Sequence, residues 1–75
     1  MHSFQIGKRY RVKLSFSAMR ADFREGEILK YTGSAYSRYD GITGYFFVDE
    51  KEGGRTWDVR DEDSVDEWPR FFQVL

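Results

Sequence analysis

The 75-residue sequence predicts an all-β fold, a small barrel of five strands. Three observations predict it. Apolar residues alternate with polar ones at period two, the signature of strands with one face buried. Seven glycines are spread along the chain as turn punctuation, and the single proline is Pro69, so no extended linker divides the chain. Phe, Tyr and Trp make up 19% of the residues, with no cysteine. The core is therefore expected to be built from rings rather than tied by disulfides.

The first strand is expected over Tyr10–Phe16, where Tyr10, Val12, Leu14 and Phe16 share one face and Arg11, Lys13 and Ser15 the other. Residues 17–26 lose the alternation and read as a long first loop pinned by Phe23. Glu27–Thr32 forms the second strand between Gly26 and Gly33, with Leu29 and Tyr31 on one face. A polar loop over 33–41 carries Tyr36 and Tyr39. The third strand, Gly44–Asp49, is apolar on both faces, as befits a central strand. A tight turn over 50–54 is expected to use Gly53 and Gly54 for positive φ, returning the chain into a fourth strand at Arg55–Val59. In the acidic run 61–68 only Val65 and Trp68 are apolar. Their spacing predicts one helical turn capped by Asp63 or Ser64, before a last strand at Phe71–Leu75. The expected core is Tyr10, Val12, Leu14, Phe16, Phe23, Leu29, Tyr31, Phe47, Val59, Phe71 and Val74.

A long first loop, a tight hairpin between strands three and four and a helical turn before the last strand together match the order of an SH3-like barrel. An oligonucleotide-binding barrel would place a fuller helix where this chain has five turn residues. The segments Gly7-Lys8-Arg9-Tyr10-Arg11-Val12, Phe23-Arg24-Glu25-Gly26-Glu27-Ile28-Leu29, Tyr39-Asp40-Gly41 and Tyr45-Phe46 point the same way. Over residues 7–48 the chain resembles a small bacterial family of SH3-like barrels classed as a domain of unknown function. The resemblance implies the fold and no activity. The chain lacks the Ala-Leu-Tyr-Asp-Tyr start and the paired tryptophans of peptide-binding SH3 domains, so no proline-rich ligand is implied.

Length and composition exclude several classes of function. A chain of this length is read as one domain, 1–75, with little wall from which to build a deep pocket. The only histidine, His2, lies at the chain start and there is no cysteine, so the usual nucleophile–base pairs are missing and no catalytic residue is assigned. No metal or cofactor is expected. Asp61, Asp63 and Glu67 only faintly echo a calcium loop, without its glycine or its full ligand series. No apolar run is long enough for a signal peptide or a membrane span, and a cytoplasmic protein with no membrane contact is expected.

The expected function is binding. Residues 1–38 hold eight Lys/Arg against three Asp/Glu, and residues 39–75 hold four against ten. Either the halves neutralise each other across the sheet, or the acidic half faces a basic partner. The candidate partner-binding surface comprises Tyr36, Tyr39 and Trp68 with Asp61, Glu62, Asp63, Asp66 and Glu67, because rings and carboxylates together suit cationic side chains. A protein partner is expected, and one version is an inhibitor or immunity-type protein that masks a basic target. The alternative is single-stranded nucleic acid held on residues 8–39, where Lys8, Arg9, Arg11, Lys13, Arg20, Arg24, Lys30 and Arg38 interleave with Tyr10, Phe16, Phe23, Tyr31, Tyr36 and Tyr39. The sequence pI of about 5.8 weighs against it.

Overall fold

A computed structural model describes residues 4–63 and 67–75. The fold is all-β, with one helical turn. Seven strands follow in order: β1 (Arg9–Val12), β2 (Phe16–Ser17), β3 (Asp22–Phe23), β4 (Ile28–Ser37), β5 (Ile42–Val48), β6 (Gly54–Arg60) and β7 (Phe72–Val74), with α1 (Trp68–Phe71) before the last. Five of them form one antiparallel sheet in the order β6-β5-β4-β1-β7, and β2 and β3 pair separately. Among the described residues no pairing joins β6 to β7, so these two strands are the sheet's edges.

The strand expected over 10–16 stops at Val12. Val12 exchanges backbone hydrogen bonds with Glu27 and Gly26, while the Lys13 amide turns to the Phe71 carbonyl at 2.7 Å. The chain then bends into the β2–β3 hairpin, which occupies what the sequence presents as the long first loop. The bend leaves Leu14 44% exposed, so it is not a core residue. Phe16 is half-buried and stacks on Phe23 across the hairpin at 4.7 Å.

The second strand is longer than its sequence pattern. Gly33 does not end β4; it marks a bulge, where the register with β5 shifts between Tyr31 and Gly33. Gly33 has φ +150°, open to glycine and poorly to other residues. Beyond the bulge the strand continues through Tyr36 to Ser37, so the expected polar loop shrinks to a turn over 38–41. The β5–β6 turn also differs. Glu52 carries the positive φ, 63°, and neither Gly53 nor Gly54 does. The Asp49 carboxylate accepts the amides of Lys51 and Gly53 at 2.9 and 2.7 Å and organises the turn instead.

The helical turn falls at 68–71 rather than 61–68. Pro69 sits in its first turn, where a fixed φ and a missing N–H cost nothing. Glu67 is its N-cap residue, with no side-chain cap bond. Glu67 thus takes the place expected of Asp63, and the other expected cap, Ser64, lies outside the described residues with Val65, Asp66 and His2.

The buried core is Phe4, Tyr10, Val12, Phe23, Leu29, Tyr31, Tyr45, Phe47, Trp57, Val59 and Phe72. Alternation on β1, β4 and β5 delivers Tyr10 and Val12, Leu29 and Tyr31, Tyr45 and Phe47 to one side. The last strand begins one residue later than its pattern suggests. Phe72 is therefore buried and stacked on Phe47 at 5.2 Å, Phe71 is half-buried, and Val74 is 43% exposed. Phe4, which precedes every strand, lies inside the ring cluster, with centroids of Tyr10, Phe47 and Trp68 at 5.1–5.2 Å.

Candidate functional site

Two features bring the expected site residues together. The first is a junction at the end of the β4–β5 hairpin. The Tyr36 hydroxyl donates to Asp61 Oδ2 at 2.9 Å, and the Asp61 amide donates to the Gly41 carbonyl at 2.8 Å. A Cβ on Gly41 would lie 3.2 Å from the same carboxylate, so a side chain here would crowd the junction. The carboxylate holds the phenolic proton and raises the Tyr36 pKa, mainly through that hydrogen bond. Tyr36 is 57% exposed.

Beside this junction the outer surface of the sheet forms a shallow groove of about 430 Å³, lined by Met19, Tyr36, Ile42 and Phe46 and crossed by the Arg20–Asp58 pair. Arg20 grips Asp58 with two hydrogen bonds of 2.8 Å, and the Arg20 pKa is raised by them. This pair fastens the tip of the β2–β3 hairpin to β6.

The second feature is a groove of about 380 Å³ between that hairpin and the β6–α1 side of the molecule. Its floor is apolar: Phe16 lies 4.5 Å from Phe71 and 5.9 Å from Trp57, with Val59 alongside. Asp63 and Glu67 line it too. Both are exposed, and neither forms an ion pair among the described residues.

The expected surface thus divides. Tyr36 joins Asp61, and Asp63 joins Glu67. Glu62 stands 3.7 Å from Arg60, an exposed pair on its own chain. Tyr39 is 91% exposed, and the Arg38 guanidinium already lies 5.7 Å from its ring centroid. Trp68 points the other way, half-buried with its ring 5.2 Å from Phe4 and 6.0 Å from Tyr10, so it closes the core rather than offering a face. Asp66 lies outside the described residues. Of the grooves' own lining, Met19, Ile42 and Phe46 were not singled out as site residues by the sequence, and Phe16 was expected in the core or on the nucleic-acid face. The signal for Phe46 was present in a strand apolar on both faces, whose second face is this outer groove.

The ring-and-cation surface of residues 8–39 is only partly exposed. Tyr10, Phe23 and Tyr31 are 0–3% exposed and offer no stacking face, while Phe16 is half-buried and Tyr36 and Tyr39 are 57% and 91% exposed. The charge asymmetry is partly internal. Arg20 reaches Asp58 and Arg55 binds Glu27 at 2.8 Å, both pairs joining the two halves of the chain, and Arg55 also stands 3.7 Å from Asp49 within the second half. Glu27 is held below the usual carboxylate range chiefly by its hydrogen bond from Arg55, and Asp49 chiefly by the Gly53 amide. Among the described residues no three acidic or histidine side chains converge as metal ligands, and no helix is long and apolar enough to cross a membrane.

No family model matches the chain, and no curated protein matches it significantly. Among solved structures it is similar to an integron cassette protein from the mobile metagenome of Vibrio cholerae. The TM-score is 0.79 at 22% identity, over 96% of this chain and 86% of the other. That likeness concerns the fold alone.

Proposed function

We propose that this chain is a non-enzymatic binding module of SH3-like architecture whose aromatic and acidic surface docks on a basic, apolar-flanked segment of a protein partner. The architectural part is supported by the strand order β6-β5-β4-β1-β7, by a hairpin-bearing first loop and by a helical turn before the last strand. The binding part rests on one observation, the aromatic-floored groove of Phe16, Trp57 and Phe71 beside the carboxylates of Asp63 and Glu67, which form no ion pair among the described residues. Rings in a partly desolvated groove supply contact area, and free carboxylates select and steer a cation. The inhibitor-type reading is a version of the same surface with a strongly basic target.

The test is affinity capture from a lysate of the native host, comparing wild type with Asp63→Lys/Glu67→Lys. The expected result is a specific protein retained by wild type, weakened at high salt and lost with the variant. Equal capture by a variant with an unchanged melting curve would sink the assignment of this groove. Recovery of nucleic acid instead of protein on this face would sink the partner class.

A further inference from the structure

The outer face of β1 and its neighbours carries a second charged surface, of opposite sign. Arg9 and Arg11 project outward from β1, and Lys30 of β4 stands directly opposite Arg9. Two like charges at facing strand positions repel and weaken the pairing. Among the described residues none of the three forms an ion pair or a side-chain hydrogen bond with an acid. Asp49, Glu50 and Glu52 border the same shallow hollow as Arg9 and Lys30 but stay beyond ion-pair distance of them. The remaining neighbours of Arg11 in the ladder are Ile28 and Gln73, so no ring is present on this strip.

We propose that this strip binds the phosphate backbone of a nucleic-acid duplex. Arg9 and Arg11 are two residues apart on one strand, about 6.6 Å along it. With Lys30 they make a rigid, flat array of cations borne on paired strands, not on a loop. Guanidinium forks match phosphate oxygens in geometry. A protein interface would be expected to centre on an aromatic anchor, and no ring lies among the ladder neighbours of these cations. Single-stranded binding requires exposed rings beside the cations, and Tyr10 and Tyr31, the rings next to them on β1 and β4, are buried. What remains is contact with backbone charge, independent of base sequence. The surface is separate from the acidic groove, and the proposal does not depend on the partner assigned there.

Three phosphate contacts predict a log–log salt slope of about −2.7, or about 40-fold weaker binding at 200 mM than at 50 mM salt. The experiment is fluorescence anisotropy with a labelled random-sequence DNA duplex of about 20 base pairs, on wild type and Arg9→Gln/Arg11→Gln/Lys30→Gln. The expected result is salt-sensitive binding by wild type that falls at least tenfold in the variant. The variant should melt no lower than wild type, because it removes repulsion, and that separates lost binding from lost fold. No binding at low salt, or equal binding by the variant, overturns the proposal. So does tighter binding of the single strand, or displacement of the duplex by polyglutamate at equal charge concentration, which would assign the strip to an acidic protein.

Discussion

Replacing Phe4 by alanine removes a side chain that the chain's alternation does not mark as structural, yet should be among the most damaging single changes available. Phe4 is 6% exposed, and the rings of Tyr10, Tyr31, Tyr45, Phe47, Trp57, Trp68 and Phe72 surround it at 5.1–6.0 Å between centroids. Several of those contacts are edge-to-face, at interplanar angles of 80–90° for Tyr10, Phe47 and Phe72. A buried Phe→Ala change costs about 3–5 kcal/mol through lost transfer energy and the cavity left behind. A domain of this length is stable by about 4–11 kcal/mol, so the change removes roughly a quarter or more of the margin. At about 4–8 °C per kcal/mol, the melting temperature should fall by at least ~12 °C. Ile6→Ala, two residues on and 75% exposed, is the control and should move it by less than about 4 °C. Circular dichroism melts of the three proteins decide the matter. A Phe4→Ala curve that overlays the Ile6→Ala curve would refute the reasoning, because it would mean that the start of the chain does not plug the core.

Two further stability predictions follow from the β5–β6 turn and its neighbours. Gly53→Ala should destabilise by about 1 kcal/mol or more, since its Cβ would meet Asp49 Oδ2 at 2.7 Å, whereas Gly54→Ala meets nothing within 4 Å and should be neutral or slightly stabilising; urea denaturation of the two variants checks the contrast, and equal effects would argue against it. The pKa values of Glu27 and Asp49 are depressed in the folded chain, so the stability they contribute is present above the ordinary carboxylate range and is lost as pH falls through their lowered values. Melting temperature should therefore drop between about pH 5 and pH 2, and Arg55→Gln should flatten the part of that drop due to Glu27. A wild-type curve that is level over that range would contradict the role given to these two carboxylates.

The parts of the fold that were legible in the sequence are those where one alternation governs several residues. Tyr10 with Val12, and Leu29 with Tyr31, read as inward-facing from their spacing alone, and they are. The errors arise where a single residue had more than one structural meaning. Gly33 reads equally as the end of a strand and as a bulge within one, and only the length of its β5 partner decides for the bulge. The Phe71-Phe72 pair offers two rings for one inward position, and α1 decides in favour of Phe72 by setting where the strand begins. Phe4 has no flanking alternation, so nothing local distinguished it from a frayed end. The candidate site was legible as composition and not as geometry. Acids and rings were apparent, but Trp68 and Tyr36 diverge because one lies over the core and the other at the tip of a hairpin.

The charges left unpaired are the most informative residue of this comparison. Two ion pairs stitch the halves of the chain together, Arg20 with Asp58 and Arg55 with Glu27, and both fasten the β2–β3 hairpin and the strand that follows it to β6. Those pairs account for the charges the fold uses. Arg9, Arg11 and Lys30 on one strip, and Asp63 and Glu67 in one groove, are not used in this way. Exposed charges contribute little to stability, so the fold would tolerate them scattered or alternating in sign. Yet Arg9 faces Lys30 across the β1–β4 ladder, a like-charge pair that weakens the sheet. A pairing kept at a cost to its own sheet has its explanation outside the sheet. The two binding experiments ask, for each sign separately, what stands opposite. If neutralising the basic strip raises the melting temperature while abolishing duplex binding, the repulsion is the local cost of that contact.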